Sequence, residues 1–246
     1  MLEGKVILLL GATGGIGSKV AEEASKLGAK LILVARTKKK LDELNAKIKN
    51  SIAFEADATN FNDLKSIVEK VEDRFGKIDV LIHAVGSILL KPIHILKQEE
   101  FEETLQINLV SAFLGIKAVI RGMMRRKKGS IVIISSVAGS KGLRNHEAIS
   151  AAKGGLEAMI RSAAITYASR GIRFNGVALG LVDTPLSAQA KLTTSEKALE
   201  ISNKMHPLGR IGKPVDVVSA ILYLASDQSS WQTGTIIPID GGMSAN

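Results

Sequence analysis

Apolar runs of strand length alternate along this chain with longer segments of helical period, and that alternation admits few folds. The runs fall at residues 5–10, 30–35, 51–55, 80–84, 130–135, 173–179 and 235–239. Helical periodicity fills the intervals at 17–27, 38–49, 62–75, 99–126, 148–169 and 215–225. Strands that are apolar on both faces belong in the middle of a layered structure. A helix between successive strands returns the chain so that the strands pair in parallel. An α/β fold is therefore predicted, with a doubly wound parallel sheet of about seven strands and helices on both faces. No linker, internal repeat or low-complexity block breaks the 246 residues, so one domain spanning 1–246 is expected. The stretch 183–205 is polar and weakly patterned, and it reads as a mobile lid.

The first strand runs directly into Gly11-Ala12-Thr13-Gly14-Gly15-Ile16-Gly17, which opens a helix. Glycine lets the chain turn tightly and bring its backbone close to a pyrophosphate, while the helix N-terminus offers free N–H groups to the anion. This points to a Rossmann-type dinucleotide site. The second strand ends at Val34-Ala35-Arg36. A carboxylate at this point accepts from a ribose 2′-hydroxyl, whereas a guanidinium matches a 2′-phosphate. Arg36, with Lys38 close by, therefore predicts NADP(H) in preference to NAD(H).

Apolar residues make up 46% of the chain but aromatics only 4%, so the core is aliphatic. No cysteine is present, which excludes disulfides and thiolate-bound metal and suits a reducing compartment. No metal-ligand set is identified. The N-terminal residues lack a charged-then-apolar leader, and the apolar run behind them is too short to span a bilayer, so a cytoplasmic location without membrane contact is expected. The formal charge of +9 gathers in Lys38-Lys39-Lys40 and Arg125-Arg126-Lys127-Lys128. With one Trp and two Tyr for base stacking and no nucleic-acid module, these runs read as solvated surface or as an attraction for phosphorylated ligands.

The glycine spacing, together with Ser136, Asn108 and the run Ala148-Ile149-Ser150-Ala151-Ala152-Lys153-Gly154-Gly155, resembles the short-chain dehydrogenase/reductases over essentially the whole chain. The resemblance implies a cofactor half over about 1–130 and a catalytic half over about 131–246. It assigns cofactor contacts to Gly11, Thr13, Gly15, Ile16 and Gly17. Further contacts fall on Asp57 and Ala58 beside the adenine, on His83, Ala84 and Gly86 after the fourth strand, and on Gly180, Val182 and Thr184. His83 stands where the family has asparagine and suits a hydrogen-bonded structural role. Leu10 replaces the family's leading threonine, and Leu179 its loop proline.

The family uses Asn, Ser, Tyr and Lys. Hydride delivery to a carbonyl builds alkoxide, and an acid within reach must supply a proton. Asn108, Ser136 and Lys153 take three of these positions, with Lys153 also gripping the nicotinamide ribose. At the tyrosine position stands Ile149, a hydrocarbon. The two tyrosines, Tyr167 and Tyr223, lie in segments read as helices and suit packing roles. His146 precedes Lys153 by seven residues, the spacing that enoyl reductases of the superfamily use for their tyrosine, and is a candidate acid. Lys127 and Arg170 match the basic positions with which 3-oxoacyl-carrier-protein reductases meet an acidic carrier. Two functions are therefore expected to compete. One is an NADP(H)-dependent oxidoreductase acting on a small molecule, including 3-oxoacyl or enoyl/dienoyl thioesters of coenzyme A or acyl carrier protein, with altered proton delivery. The other is an inactive NADP(H)-binding structural or regulatory subunit. The family's usual assembly implies a homotetramer, or a hetero-oligomer with an active homologue.

Overall fold

The computed structural model describes residues 1–245. Seven parallel strands form one sheet: β1 (Val6–Leu10), β2 (Lys30–Ala35), β3 (Ser51–Glu55), β4 (Val80–His83), β5 (Gly129–Ser136), β6 (Ile172–Leu179) and β7 (Ile236–Ile239). Their spatial order is β3-β2-β1-β4-β5-β6-β7. The order reverses between β1 and β4, and in such sheets the crevice beyond the carboxyl ends at that point takes the ligand. Each predicted strand is present, with ends displaced by no more than one residue.

Alternation along each strand sends side chains to two aliphatic layers. Ile7 and Leu9 of β1 join the cluster with α1 (Gly15–Lys26), α2 (Lys38–Lys47) and α9 (Pro214–Ala225). Val6, Leu8 and Leu10 join the other, with α3 (Phe61–Phe75), α5 (Ser111–Arg126) and α6 (Glu147–Tyr167). Helix α3 shows how local sequence sets an element. Leu64, Ile67, Val68 and Val71 recur at three- and four-residue spacing and are buried. Asn60 Oδ1 accepts from the N–H groups of Asn62 (3.0 Å) and Asp63 (3.4 Å), and Gly76 ends the helix at φ 73°. Asn60→Ala is expected to lower unfolding stability by about 1 kcal/mol, read by denaturant titration. An unchanged midpoint would remove the cap from this account.

Two sequence expectations are corrected. The helix expected over 99–126 is broken into α4 (Gln98–Leu105), a π-helical turn at Gln106–Val110, and α5. Three polar side chains on this stretch bond back to carbonyls one turn earlier. Thr104 Oγ1 donates to Glu100 O (2.8 Å), Asn108 Nδ2 to Thr104 O (3.0 Å) and Ser111 Oγ to Ile107 O (2.6 Å). Such competition for the backbone acceptors distorts an α-helix. The stretch 183–205 is also not patternless, because it holds α7 (Pro185–Gln189) and α8 (Glu196–Lys204). Thr184 and Ser195 cap them, and Pro185 stands at the first position of α7, a start signal that the weak periodicity concealed.

Candidate active site

Beyond the carboxyl ends of β4, β5 and β6 lies a cavity of about 220 Å³. The glycine turn reaches it through Ile16. Gly11 sits at φ +79°, where a Cβ would come within 2.7 Å of Ala84 O, and a Cβ on Gly17 would collide with Gly11 O. Gly14 caps α1 in extended conformation without a side-chain hydrogen bond, so the first-turn N–H groups receive no side-chain acceptor from the cap. The glycines thus let the turn pack against its own backbone and Thr184, which leaves the first N–H groups of α1 placed as a diphosphate would require. Ile16 lines the cavity, while Thr13 stands half-buried on the turn. Thr184 packs over Gly15, whose Cβ would meet its Cγ2 at 2.8 Å.

At the end of β2, the Arg36 side chain is 70% exposed, and its nearest carboxylate is Asp57 at 3.9 Å. Asp57 Oδ1 accepts from the Thr59 N–H (2.8 Å) and hydroxyl (2.7 Å). Burial pushes the Asp57 carboxyl up, but those two bonds and the Arg36 charge outweigh it and hold it below the usual range. Ala58 is buried beside it.

Helix α6 carries Ile149 and Lys153 one turn apart, and both line the cavity. Ile149 is 5% exposed and Lys153 6%. Lys153 Nζ donates to Ile134 O at 3.0 Å, and burial lowers its pKa to about 8 despite the opposing charge of Glu157. Ser136, at the end of β5, also lines the cavity, and its Oγ accepts from Ala138 N at 3.2 Å, leaving the hydroxyl proton free to point at a ligand. A Cβ on Gly86 would stand 3.1 Å from Asn108 Oδ1 and 3.8 Å from Lys153 Nζ, so glycine there keeps both within reach.

Asn108, at the centre of the π turn, is fully buried. Its Oδ1 accepts from Ser87 N (3.1 Å), while Nδ2 donates to Ser87 Oγ (2.9 Å) and Thr104 O (3.0 Å). The side chain is thereby committed to holding the loop after β4. A water beside Lys153 would have to be held by other groups, such as the main chain.

His83 does not line the cavity. It is fully buried, and Nε2 lies 2.8 Å from Ser111 Oγ. Since the Ser111 proton goes to Ile107 O, His83 Nε2 is the donor, and Nδ1 stays an unpartnered lone pair among the described residues. Burial, reinforced by the Lys153 charge, lowers its pKa to about 3. A cofactor contact by this side chain is therefore not what the geometry offers, and the packing role fits.

His146 caps the N-terminus of α6 and lines the cavity alongside Lys153. Its Nδ1 lies 2.8 Å from Arg144 O, so Nδ1 carries a proton, and the neutral ring presents a lone pair at Nε2. It can donate into the cavity only when doubly protonated.

One wall residue had no signal in isolation. His206, 3% exposed, donates from Nδ1 to Ser202 O (2.7 Å) and accepts at Nε2 from Leu181 N (3.0 Å). It ties α8 to the loop of Gly180 and Val182, and a Cβ on Gly180 would press it at 2.7 Å. Val182 bridges to Gly212. Tyr167 stacks on Phe174 (5.5 Å between centroids), and neither tyrosine lines the cavity. Lys127 and Arg170 are exposed just before β5 and β6. Their edge of the sheet is opposite Ser136, about 26 Å away along an eight-residue strand.

The profile of the family described as Enoyl-(Acyl carrier protein) reductase matches residues 11–244. The 3-oxoacyl-[acyl-carrier-protein] reductase FabG of Thermotoga maritima is 36% identical over 247 residues, covering 98% of each chain. That of Escherichia coli is 33% identical over 242 residues, again with 98% of each covered. Among solved structures, levodione reductase superposes with a TM-score of 0.94 at 29% identity, over 100% of this chain and 99% of that one. ElxO with NADP bound gives 0.92 at 26% identity, over 99% and 100%.

Proposed function

This chain belongs to the short-chain dehydrogenase/reductase family of NAD(P)-dependent oxidoreductases, and from that premise we propose that it is an NADP(H)-dependent reductase of acyl thioesters whose proton delivery departs from the family's. The observation that carries this reading is the cavity wall itself. Ser136 and Lys153 line it together, with Asn108 behind them, while Ile149 fills the position one turn before the lysine. The cofactor supplies hydride when bound. Gly11, Gly15 and Gly17 let the first turn close tightly so that the N–H groups of α1 would hold its diphosphate, while Arg36 would meet its 2′-phosphate and Lys153 its nicotinamide ribose. Ser136 donates a hydrogen bond to the oxygen on which charge develops. Ile149 can neither donate nor accept, so protonation falls to another group, with His146 the candidate in imidazolium form.

The relatives' printed names support a 3-oxoacyl or enoyl thioester as substrate. Lys127 and Arg170 suit an acidic carrier protein, and their distance from Ser136 means that a carrier docked there would feed the cavity of another copy. A homotetramer supplies such a copy. Assay of NADPH consumption with acetoacetyl and enoyl thioesters tests the reading. Turnover of the enoyl substrate that His146→Ala abolishes supports it, and tight NADPH binding without turnover on either substrate rejects it. That second outcome is the mark of an NADP(H)-binding structural or regulatory subunit, the alternative that the hydrocarbon of Ile149 favours.

Cofactor choice has its own test. Arg36→Ala is expected to weaken NADPH binding by roughly 10- to 100-fold and to leave NADH binding unchanged, since a charge-assisted hydrogen bond contributes about 1.5–3 kcal/mol. Equal losses for the two nucleotides in calorimetric titration would show that Arg36 does not read the 2′ position.

A further inference from the structure

Helix α6 carries a second buried charge that none of the roles above uses. Glu157 lies one turn beyond Lys153 and is 3% exposed. No cation meets its carboxylate at ion-pair distance among the described residues, and its hydrogen-bond partner is a hydroxyl, with Ser135 Oγ donating to Oε1 at 2.8 Å. Ser135 adjoins Ser136, the hydroxyl of the cavity wall. The 3₁₀ turn Val137–Gly139 packs against the same side: a Cβ on Gly139 would come within 2.6 Å of Glu157 Oε1 and 3.1 Å of the Lys153 carbonyl carbon. A bare glycine therefore makes room for the carboxylate at the junction of β5 and α6. Burying an ionised group is costly unless an opposite charge lies near, so this placement calls for an electrostatic partner.

We infer that Glu157 is the counter-charge that keeps Lys153 an ammonium in its buried position, a positioning residue that acts through the lysine and touches neither substrate nor cofactor. The inference rests on the reading of Lys153 as a group of the cofactor site, but the charge coupling itself is a property of the chain alone. Burial drives the lysine toward the neutral amine and the Glu157 charge opposes that drive, leaving a pKa of about 8. The ammonium is therefore present below that value and lost as pH rises through it. The other groups around Lys153 do not replace Glu157. His83, beneath it on β4, titrates near 3 and is neutral throughout this range. Asn108, Ser135 and Ser136 carry no charge. His146, across the cavity at the start of α6, and His206, on the lid side, can add only positive charge, which opposes the ammonium.

Glu157→Gln removes the charge while keeping the volume and an acceptor for Ser135. The direct readout is the pH titration of the Lys153 ¹³Cε resonance in lysine-labelled protein, assigned with Lys153→Arg. In Glu157→Gln the midpoint is expected to fall by about one pH unit, and Glu157→Asp, which keeps the charge, is expected to restore most of it. A purely structural glutamate would leave the midpoint in place however much it altered thermal stability, so an unmoved midpoint in a folded Gln variant overturns the inference. An Asp variant that titrates like the Gln variant also overturns it. NADPH titration of the same proteins judges the cofactor reading separately. With the coupling intact, NADPH binding near pH 8 is expected to be several-fold weaker in the Gln variant. A shifted midpoint in a protein that binds no NADPH at all would uphold the counter-charge and reject the cofactor role of Lys153.

Discussion

Ile149→Tyr is expected to raise NADPH-dependent reduction of an acetoacetyl thioester by roughly 10²- to 10⁴-fold over the parent, the usual contribution of a placed general acid. Ile149 stands one turn before Lys153, and both side chains face a cavity of about 220 Å³ that also exposes Ser136. A ring added there extends into open space and brings its hydroxyl toward the oxygen that Ser136 addresses. The Lys153 ammonium beside it favours phenolate and so makes the phenol a better acid. Ile149→Phe is the control, because it fills the same space without a proton and is expected to stay at the parental rate. Steady-state assays of the three proteins decide the matter. If the Tyr variant folds and binds NADPH yet remains at the parental rate, the lack of a phenol at this position is not what limits ketone reduction here.

Gly17→Ala is expected to abolish measurable NADPH binding and to lower stability by about 1–3 kcal/mol, the range for overpacking a rigid site. The added methyl would collide with Gly11 O and lie 3.1 Å from Ala12 Cα, and both are backbone atoms that a rotamer change cannot move. Gly11 cannot retreat either. It sits at φ +79° against Ala84 O, so the turn is pinned between α1 and the end of β4. A shift of the turn also displaces the first N–H groups of α1 from the place a diphosphate would occupy. Thermal denaturation is expected to show a loss of roughly 2–10 °C for a chain of this size. Gly14→Ala supplies the comparison, since its Cβ meets Gly11 O at 3.4 Å, and a cost of no more than about 1 kcal/mol is expected. Comparable losses from both substitutions would mean that the close approach at Gly17 is not the source of the constraint.

The parts of the molecule legible in advance are those whose cause is local. Leu8 and Leu9 face opposite layers because side chains alternate along a strand, and the apolar run shows that directly. The glycines of the first turn are legible because no other residue fits so close to backbone. The break at residues 106–110 has a local cause too. It requires Thr104, Asn108 and Ser111 all to turn back on the helix, and an apolar periodicity count passes over polar residues. Helices α7 and α8 are not legible from periodicity because they have five and nine residues, too few turns for a period to stand out beside their caps.

Taken alone, the order of residues determined the alternation of strands and helices, the glycine turn, the guanidinium at the end of β2 and the hydrocarbon before Lys153. Each of these is written within a few neighbouring positions. Only the folded chain decided that His83 is walled off from the cavity, that His206 fastens α8 to the Gly180 loop, and that Glu157 shares a buried environment with Lys153. The physical reason is that burial and partnership are set by elements distant in sequence. A histidine or glutamate has the same letters whether it meets water, a backbone N–H 25 residues away or a serine on another strand, and its charge and chemistry follow from which of these it meets.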